Sequence, residues 1–169
     1  MSLSLVKLTP EMESEFKHYI DEWADETIVP GSTSMKEKTY PQLLEYMKSC
    51  ESKDTVPAGL VPDRTYVLID ETNRILGALN LRLELNDYLL HFGGHIGYGI
   101  RPSERRKGYA KEQLKLALPI AKSFGIEKVL ITCDKENPAS AKTIIACGGV
   151  LEDERQNETE TTQRYWITI

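Results

Sequence analysis

Cysteine is scarce in this chain, and its placement implies no chemistry. Cys50, Cys133 and Cys147 are odd in number and lack metal-ligand spacing, which argues against a disulfide scaffold and a zinc module and fits reduced thiols. No metal site is expected. No segment approaches the ~20 apolar residues of a membrane span, and Met1-Ser2-Leu3-Ser4-Leu5 lacks the pattern of a secretory leader. The expectation is a cytoplasmic protein with no membrane partner. Positive charge is also in short supply. With 21 basic against 26 acidic residues the net charge is −5, so the molecule as a whole repels nucleic acid. No aromatic residues interleave with basic ones to make a stacking platform. Repeats and low-complexity tracts are absent. What remains, at 169 residues, is a single domain over residues 1–169, long enough to bury a core without cross-links.

The informative stretch runs from His95 to Ala110 and continues into a helical pattern from Lys111 to Phe124. His95 to Arg101 reads as a short strand and Pro102 to Lys107 as a basic turn. Ala110, Leu114, Ala117, Leu118 and Ala121 recur at helical spacing. A helix start carries unpaired N–H groups and the positive end of the dipole, so a loop entering it through Gly108 suits an anion. Arg101, Arg105, Arg106, Lys107 and Lys111 are expected to add charge there. A Walker loop does not fit this spacing, and Pro102 stands where a dinucleotide fingerprint requires glycine.

Arg105-Arg106-Lys107-Gly108-Tyr109-Ala110 resembles the Arg/Gln-x-x-Gly-x-Gly/Ala signature of the GNAT acyltransferase superfamily. Two further features stand in that family's order. They are a strand, Val129 to Asp134, and then Asn137-Pro138-Ala139-Ser140 opening a helix that stops at Cys147-Gly148-Gly149. The resemblance, to a bacterial branch of the superfamily, covers Ile75 to the C-terminus best. It implies an α/β (α+β) GNAT fold: one mixed, mostly antiparallel sheet of about seven strands, flanked by about four helices, with a parallel splayed pair at the cofactor cleft. It also implies transfer of an acetyl group from acetyl-CoA to a primary amine by direct transfer in a ternary complex.

By the same resemblance, backbone groups of Tyr98 and Ile100 would bind the pantetheine arm of coenzyme A. The loop Arg105, Arg106, Lys107, Gly108, Tyr109 and Ala110 would bind its pyrophosphate, and Asn137 and Ser140 would contact the cofactor from the next helix. An amide near Tyr98 would polarise the thioester carbonyl. His95 is a candidate base, the only histidine in the motif strand, although it lies one residue off the family's usual base positions. The family often reprotonates the thiolate with a Tyr seven residues after the Asn. Ile144 stands there, so the acid is unassigned, and Ile144→Tyr is expected to be tolerated.

The remaining pattern is a first strand around Leu3 to Leu8, a helix from Pro10 to about Asp25, and a Thr39-Tyr40-Pro41-Gln42 capping box opening a second helix through Lys48. Strands are expected at Thr65 to Asp70 and Ile75 to Leu85, then a linker from Asn86 to Gly94 and a closing hairpin. Pro119 should kink or end its helix early. Arg82 reads as part of a solvated strand face, with Asn80 and Glu84 as candidate substrate contacts beside the family's acceptor cleft. The acceptor stays open among polyamine, amino acid, antibiotic, peptide N-terminus and protein lysine, and so does a homodimer. An acyl-CoA-binding sensor without turnover is the alternative to an enzyme.

Overall fold

The computed structural model describes residues 2–169. Its elements run β1 (Ser4–Val6), α1 (Glu13–Asp21), α2 (Tyr40–Ser49), β2 (Asp63–Ile69), β3 (Ile75–Arg82), β4 (Ile96–Ile100), α3 (Tyr109–Ser123), β5 (Lys128–Asp134), α4 (Pro138–Ala146), β6 (Val150–Gln156) and β7 (Thr161–Thr168), with short helical turns between them. Local chemistry sets several boundaries. The capping box is formed, with the Gln42 N–H donating to the Thr39 hydroxyl at 3.3 Å and the Thr39 N–H to the Gln42 Oε1 at 2.9 Å. Asp70 Oδ1 accepts from the Thr72 and Arg74 amides and closes the β2–β3 hairpin.

Seven strands form two antiparallel ladders, β1-β2-β3-β4 and β5-β7-β6, and not one continuous sheet. The ladders meet where the chain entering β4 touches β5. There the His95 N–H donates to the Leu130 carbonyl at 2.7 Å, and the Leu130 N–H donates to His95 Nδ1 at 2.9 Å. Among the described residues no strand pairing joins β4 to β5 beyond that contact.

Both faces of the first ladder are covered. Phe16, Tyr19, Trp23, Tyr40 and Leu43 of the N-terminal helical region pack on Val67, Ile75 and Ala78. Leu114, Ala117 and Ala121 of α3 pack with Leu79, Leu81, Ile96, Val129 and Ile131 on the other side. Burial of this apolar surface is the main stabilising contribution, at roughly 25 cal/mol per Å².

Five expectations change. The first helix ends at Asp21, before Asp25, and β3 ends at Arg82, before Leu85. The segment Asn86 to Gly94 holds a wide helical turn at Leu89–Gly93. The third helix runs through Pro119 to Ser123, because its buried stripe of Leu114, Ala117 and Ala121 supplies more than the one lost hydrogen bond removes. Finally, β3 alternates in sequence yet is buried on both faces down to Leu81, so Asn80 is only 2% exposed.

Candidate active site

The register between β3 and β4 decides which backbone groups are available. The Arg82 N–H donates to the His95 carbonyl and the Arg101 N–H to the Leu76 carbonyl, so the amides of Gly97 and Gly99 fall on the β3 side by alternation. Those of Tyr98 and Ile100 face the gap toward β5. Gly99 also lets the loop between α1 and α2 close over β4, since a Cβ there would collide with the Val29 carbonyl oxygen.

A cavity of about 410 Å³ opens from this gap along the start of α3. It is lined by Tyr98, Ile100, Arg105, Arg106, Gly108, Tyr109, Ala110, Asn137 and Ser140, among others. Lys107 is absent from its wall and pairs with Glu104 at 3.0 Å. Gly108, immediately before α3, has φ +85°, and nothing lies within 4 Å of a Cβ placed on it. With Arg106 also left-handed at φ 62°, the loop turns its amides into a concave bend at a helix start.

The expected basic cluster is largely neutralised. Arg101 is buried, donating to Glu15 at 2.7 Å and also to Glu22, with the Ile75 carbonyl at 3.0 Å. Arg105 pairs with Glu26 at 2.9 Å and stacks over Trp23. Among the described residues only Arg106 and Lys111 of the five make no ion pair, so at this bend the backbone amides are the donors least engaged by carboxylates.

His95 is corrected by its surroundings. It is 7% exposed, and its Nδ1 lone pair accepts from Leu130, which leaves the proton on Nε2 and no lone pair for a substrate. Burial, helped by nearby Arg82, pulls its pKa down to about 4. His95 joins the two ladders. Glu84 is exposed, pairs with Lys53 at 3.1 Å and is absent from the cavity wall. Asn80 Nδ2 donates to the Thr65 hydroxyl at 3.1 Å on the wall of a separate cavity. Ile144 is fully buried, and its Cγ2 would stand 2.5 Å from a Cβ on Gly149, so a Tyr there would have to displace close-packed neighbours.

The structure also contains a side-chain pair that the motif pattern does not specify. The Tyr98 and Ser140 hydroxyls are 2.8 Å apart, and burial pushes the Tyr98 hydroxyl up to about 12. Both residues, with Asn137, line the 410 Å³ cavity and also a second one of about 250 Å³. The second cavity is bounded by Arg82, Gly97, Thr132 and Asp134 and reaches the loop at Val29. The two cavities thus share a wall at one hydroxyl pair.

The family model for the acetyltransferase (GNAT) domain matches residues 3–150. The chain belongs to the GNAT acetyltransferases. This GNAT protein is an N-acetyltransferase by family, and its family generally uses acetyl-CoA. Among solved structures it is similar to a spermidine N-acetyltransferase SpeG chimera from Vibrio cholerae and hSSAT, at 17% identity and TM-score 0.69 over 99% of this chain and 96% of that one. An acetyltransferase of the GNAT family from Streptococcus pneumoniae gives 16% identity and TM-score 0.68 over 99% of this chain and 100% of the other. Mutant forms of the spermidine/spermine N-acetyltransferase SpeG from Vibrio cholerae give 20% identity and TM-score 0.67, over 98% and 93%. These likenesses show the fold. No curated protein matches in sequence.

Proposed function

We propose that the chain, as one domain over residues 1–169, transfers an acetyl group from acetyl-CoA to a small primary amine in a ternary complex, in the cytoplasm. The observation that carries this reading is the meeting of the two cavities at Tyr98 and Ser140. The residues present fit the cofactor. Gly108 leaves open space at the start of a fifteen-residue helix, and the gap between β4 and β5 continues from it. The loop from Arg106 to Ala110 would hold the pyrophosphate through its amides, with Arg106 and Lys111 adding charge, and Asn137 and Ser140 would flank the slot.

Acetyl-CoA supplies an activated acyl group as a thioester. In the transfer the amine nitrogen bonds to the acetyl carbon, the carbon–sulfur bond breaks, the amine gives up a proton and the thiolate takes one up. The Tyr98 N–H, turned away from β3, would stabilise negative charge on the carbonyl oxygen. The Tyr98 hydroxyl, protonated at neutral pH and hydrogen-bonded to Ser140, is the group we assign to hydrogen-bond the departing sulfur. A weaker acid than a thiol, it keeps its own proton, and the sulfur takes up the proton that the amine releases. The hydroxyl supplies the polar partner that the apolar Ile144 cannot. Burial of the slot between β4 and β5 would limit competing water.

A small amine acceptor is in keeping with the spermidine N-acetyltransferases that share the fold, while the cavity lining and not that likeness bears on which amine it is. Release of CoA thiol on mixing the protein with acetyl-CoA and a panel of amines tests the reading. Acetyl-CoA should also raise the melting temperature, by the equivalent of about 2.7 kcal/mol at a hundredfold excess over Kd. Stabilisation without thiol release for any amine would favour the sensor alternative that Ile144 raises, and an unchanged melting temperature at millimolar acetyl-CoA would remove both.

A further inference from the structure

Among the described residues, two arginines of this chain make no ion pair, and every other arginine has a carboxylate within reach. One is Arg106, on the loop assigned to pyrophosphate. The other is Arg82, which leaves the end of β3 and lines both the 250 Å³ cavity and a neighbouring one of about 410 Å³. Its Nη1 donates to the Gly93 carbonyl at 3.2 Å and to the Gly94 carbonyl at 3.5 Å. Its Nε and Nη2 donate to nothing among the described residues. Gly97 makes room for it, because a Cβ there would lie 3.2 Å from Nη2.

Two carbonyls orient this guanidinium without neutralising it. Burial pulls its pKa below the ordinary arginine value, and Asp63 opposes that only at a distance. Asp63 stands opposite Arg82 on β2 without an ion pair between them, and a partly buried cation that no carboxylate contacts gains when a ligand brings an anion. A guanidinium offers parallel N–H groups that match the two oxygens of a carboxylate. One such group answers one carboxylate, whereas a phosphate dianion would call for a second cation, and no lysine or other arginine lines this cavity. Asp134 lines the same wall. Its Oδ1 accepts from the Glu136 N–H at 2.9 Å, which leaves Oδ2 for an ammonium.

We propose that the acceptor is a small aminocarboxylate, its carboxylate on Arg82 and its amine directed to the Tyr98–Ser140 wall. This rests on the acetyl-transfer reading for the amine's fate but not for its binding. A polyamine fits the site poorly, because Arg82 would repel its second ammonium and only one carboxylate lines the cavity.

The experiment measures calorimetric binding to the full-length protein saturated with CoA. The probes are glycine, β-alanine and γ-aminobutyrate, each against its own amide, with putrescine as the dication. At least one aminocarboxylate should bind tenfold or more tightly than its amide and than putrescine. Arg82→Gln, checked for folding by its melting curve, should bring that ratio within about twofold, and Arg82→Lys should restore part of it. Putrescine or the amides binding at least as tightly as every aminocarboxylate overturns the proposal, and so does an unchanged ratio in folded Arg82→Gln. The comparison in the parent protein decides the matter even if the Gln variant fails to fold. Thiol release with acetyl-CoA separates the two levels. Selective binding without release keeps the carboxylate site and removes the transferase reading, whereas release with putrescine alone does the reverse.

Discussion

Gly108 and Gly125 share a left-handed backbone at φ +85°, and a Cβ on either would meet nothing within 4 Å. They differ in place, since only Gly108 lines the 410 Å³ cavity. Val at either position should cost a similar stability, about 1–3 kcal/mol from the strained backbone. Only Gly108→Val should also weaken coenzyme A binding, by more than tenfold, because its side chain occupies space needed by phosphate oxygens. Arg106→Ala should weaken binding less and in a salt-dependent way, and Lys107→Ala least, because Lys107 is engaged by Glu104. Calorimetry on the folded variants checks the order, and equal binding by both Val variants would show that the loop does not cradle phosphate. Ile144→Tyr meets a different limit. The site is fully buried between α4 and the Gly148-Gly149 stop, so the larger side chain should cost about 1–3 kcal/mol by overpacking without raising turnover. A denaturation midpoint at or above the parent's would refute it.

Among the elements, α3 does two jobs with one sequence. Its first turn faces the 410 Å³ cavity, while Leu114, Ala117 and Ala121 anchor it under β3 and β5. Pro119 lies on the exposed side of that helix, where it removes a backbone hydrogen bond and touches no part of the site. Pro119→Ala should therefore stabilise the protein by about 1 kcal/mol or more, read as a higher urea midpoint with unchanged coenzyme A affinity. A lower midpoint would mean that the ring's packing outweighs the missing bond. The capping box of α2 is legible from four residues because it is a local exchange of two hydrogen bonds. The ends of α1 and β3 are not, because the chain beyond each end takes its path from packing against distant segments.

Across the whole molecule, the join between the two ladders carries a pH dependence. His95 is held neutral, with a pKa near 4 against an ordinary 6.5. Between those values the unfolded chain binds a proton that the folded chain refuses. Stability from this group is therefore complete above pH 6.5 and falls as the pH drops toward 4, by at most about 3 kcal/mol. Urea titrations at pH 7, 5.5 and 4.5 should show this decline, and His95→Gln should flatten it. An identical slope in the variant would place the dependence on other groups. The net charge of −5 fits with the absorbed basic loop, since Glu15, Glu22, Glu26 and Glu104 neutralise the cations clustered in sequence.

Residue order alone was enough for the family, the strand-loop-helix succession, and the positions around Gly108 and Asn137 where backbone geometry is set by neighbours in the chain. Short-range rules govern those features, so six residues could carry them. Side-chain chemistry came only with the assembled fold. Arg101 and Arg105 met carboxylates far away in sequence, and the lone pair of His95 was claimed by a strand 35 residues on. Tyr98 found Ser140 across the gap, and Arg82 came to rest between two cavities without an ion pair among the described residues. Charge and proton position depend on distance in space, and in this chain those distances are set by how the two ladders join at β4 and β5.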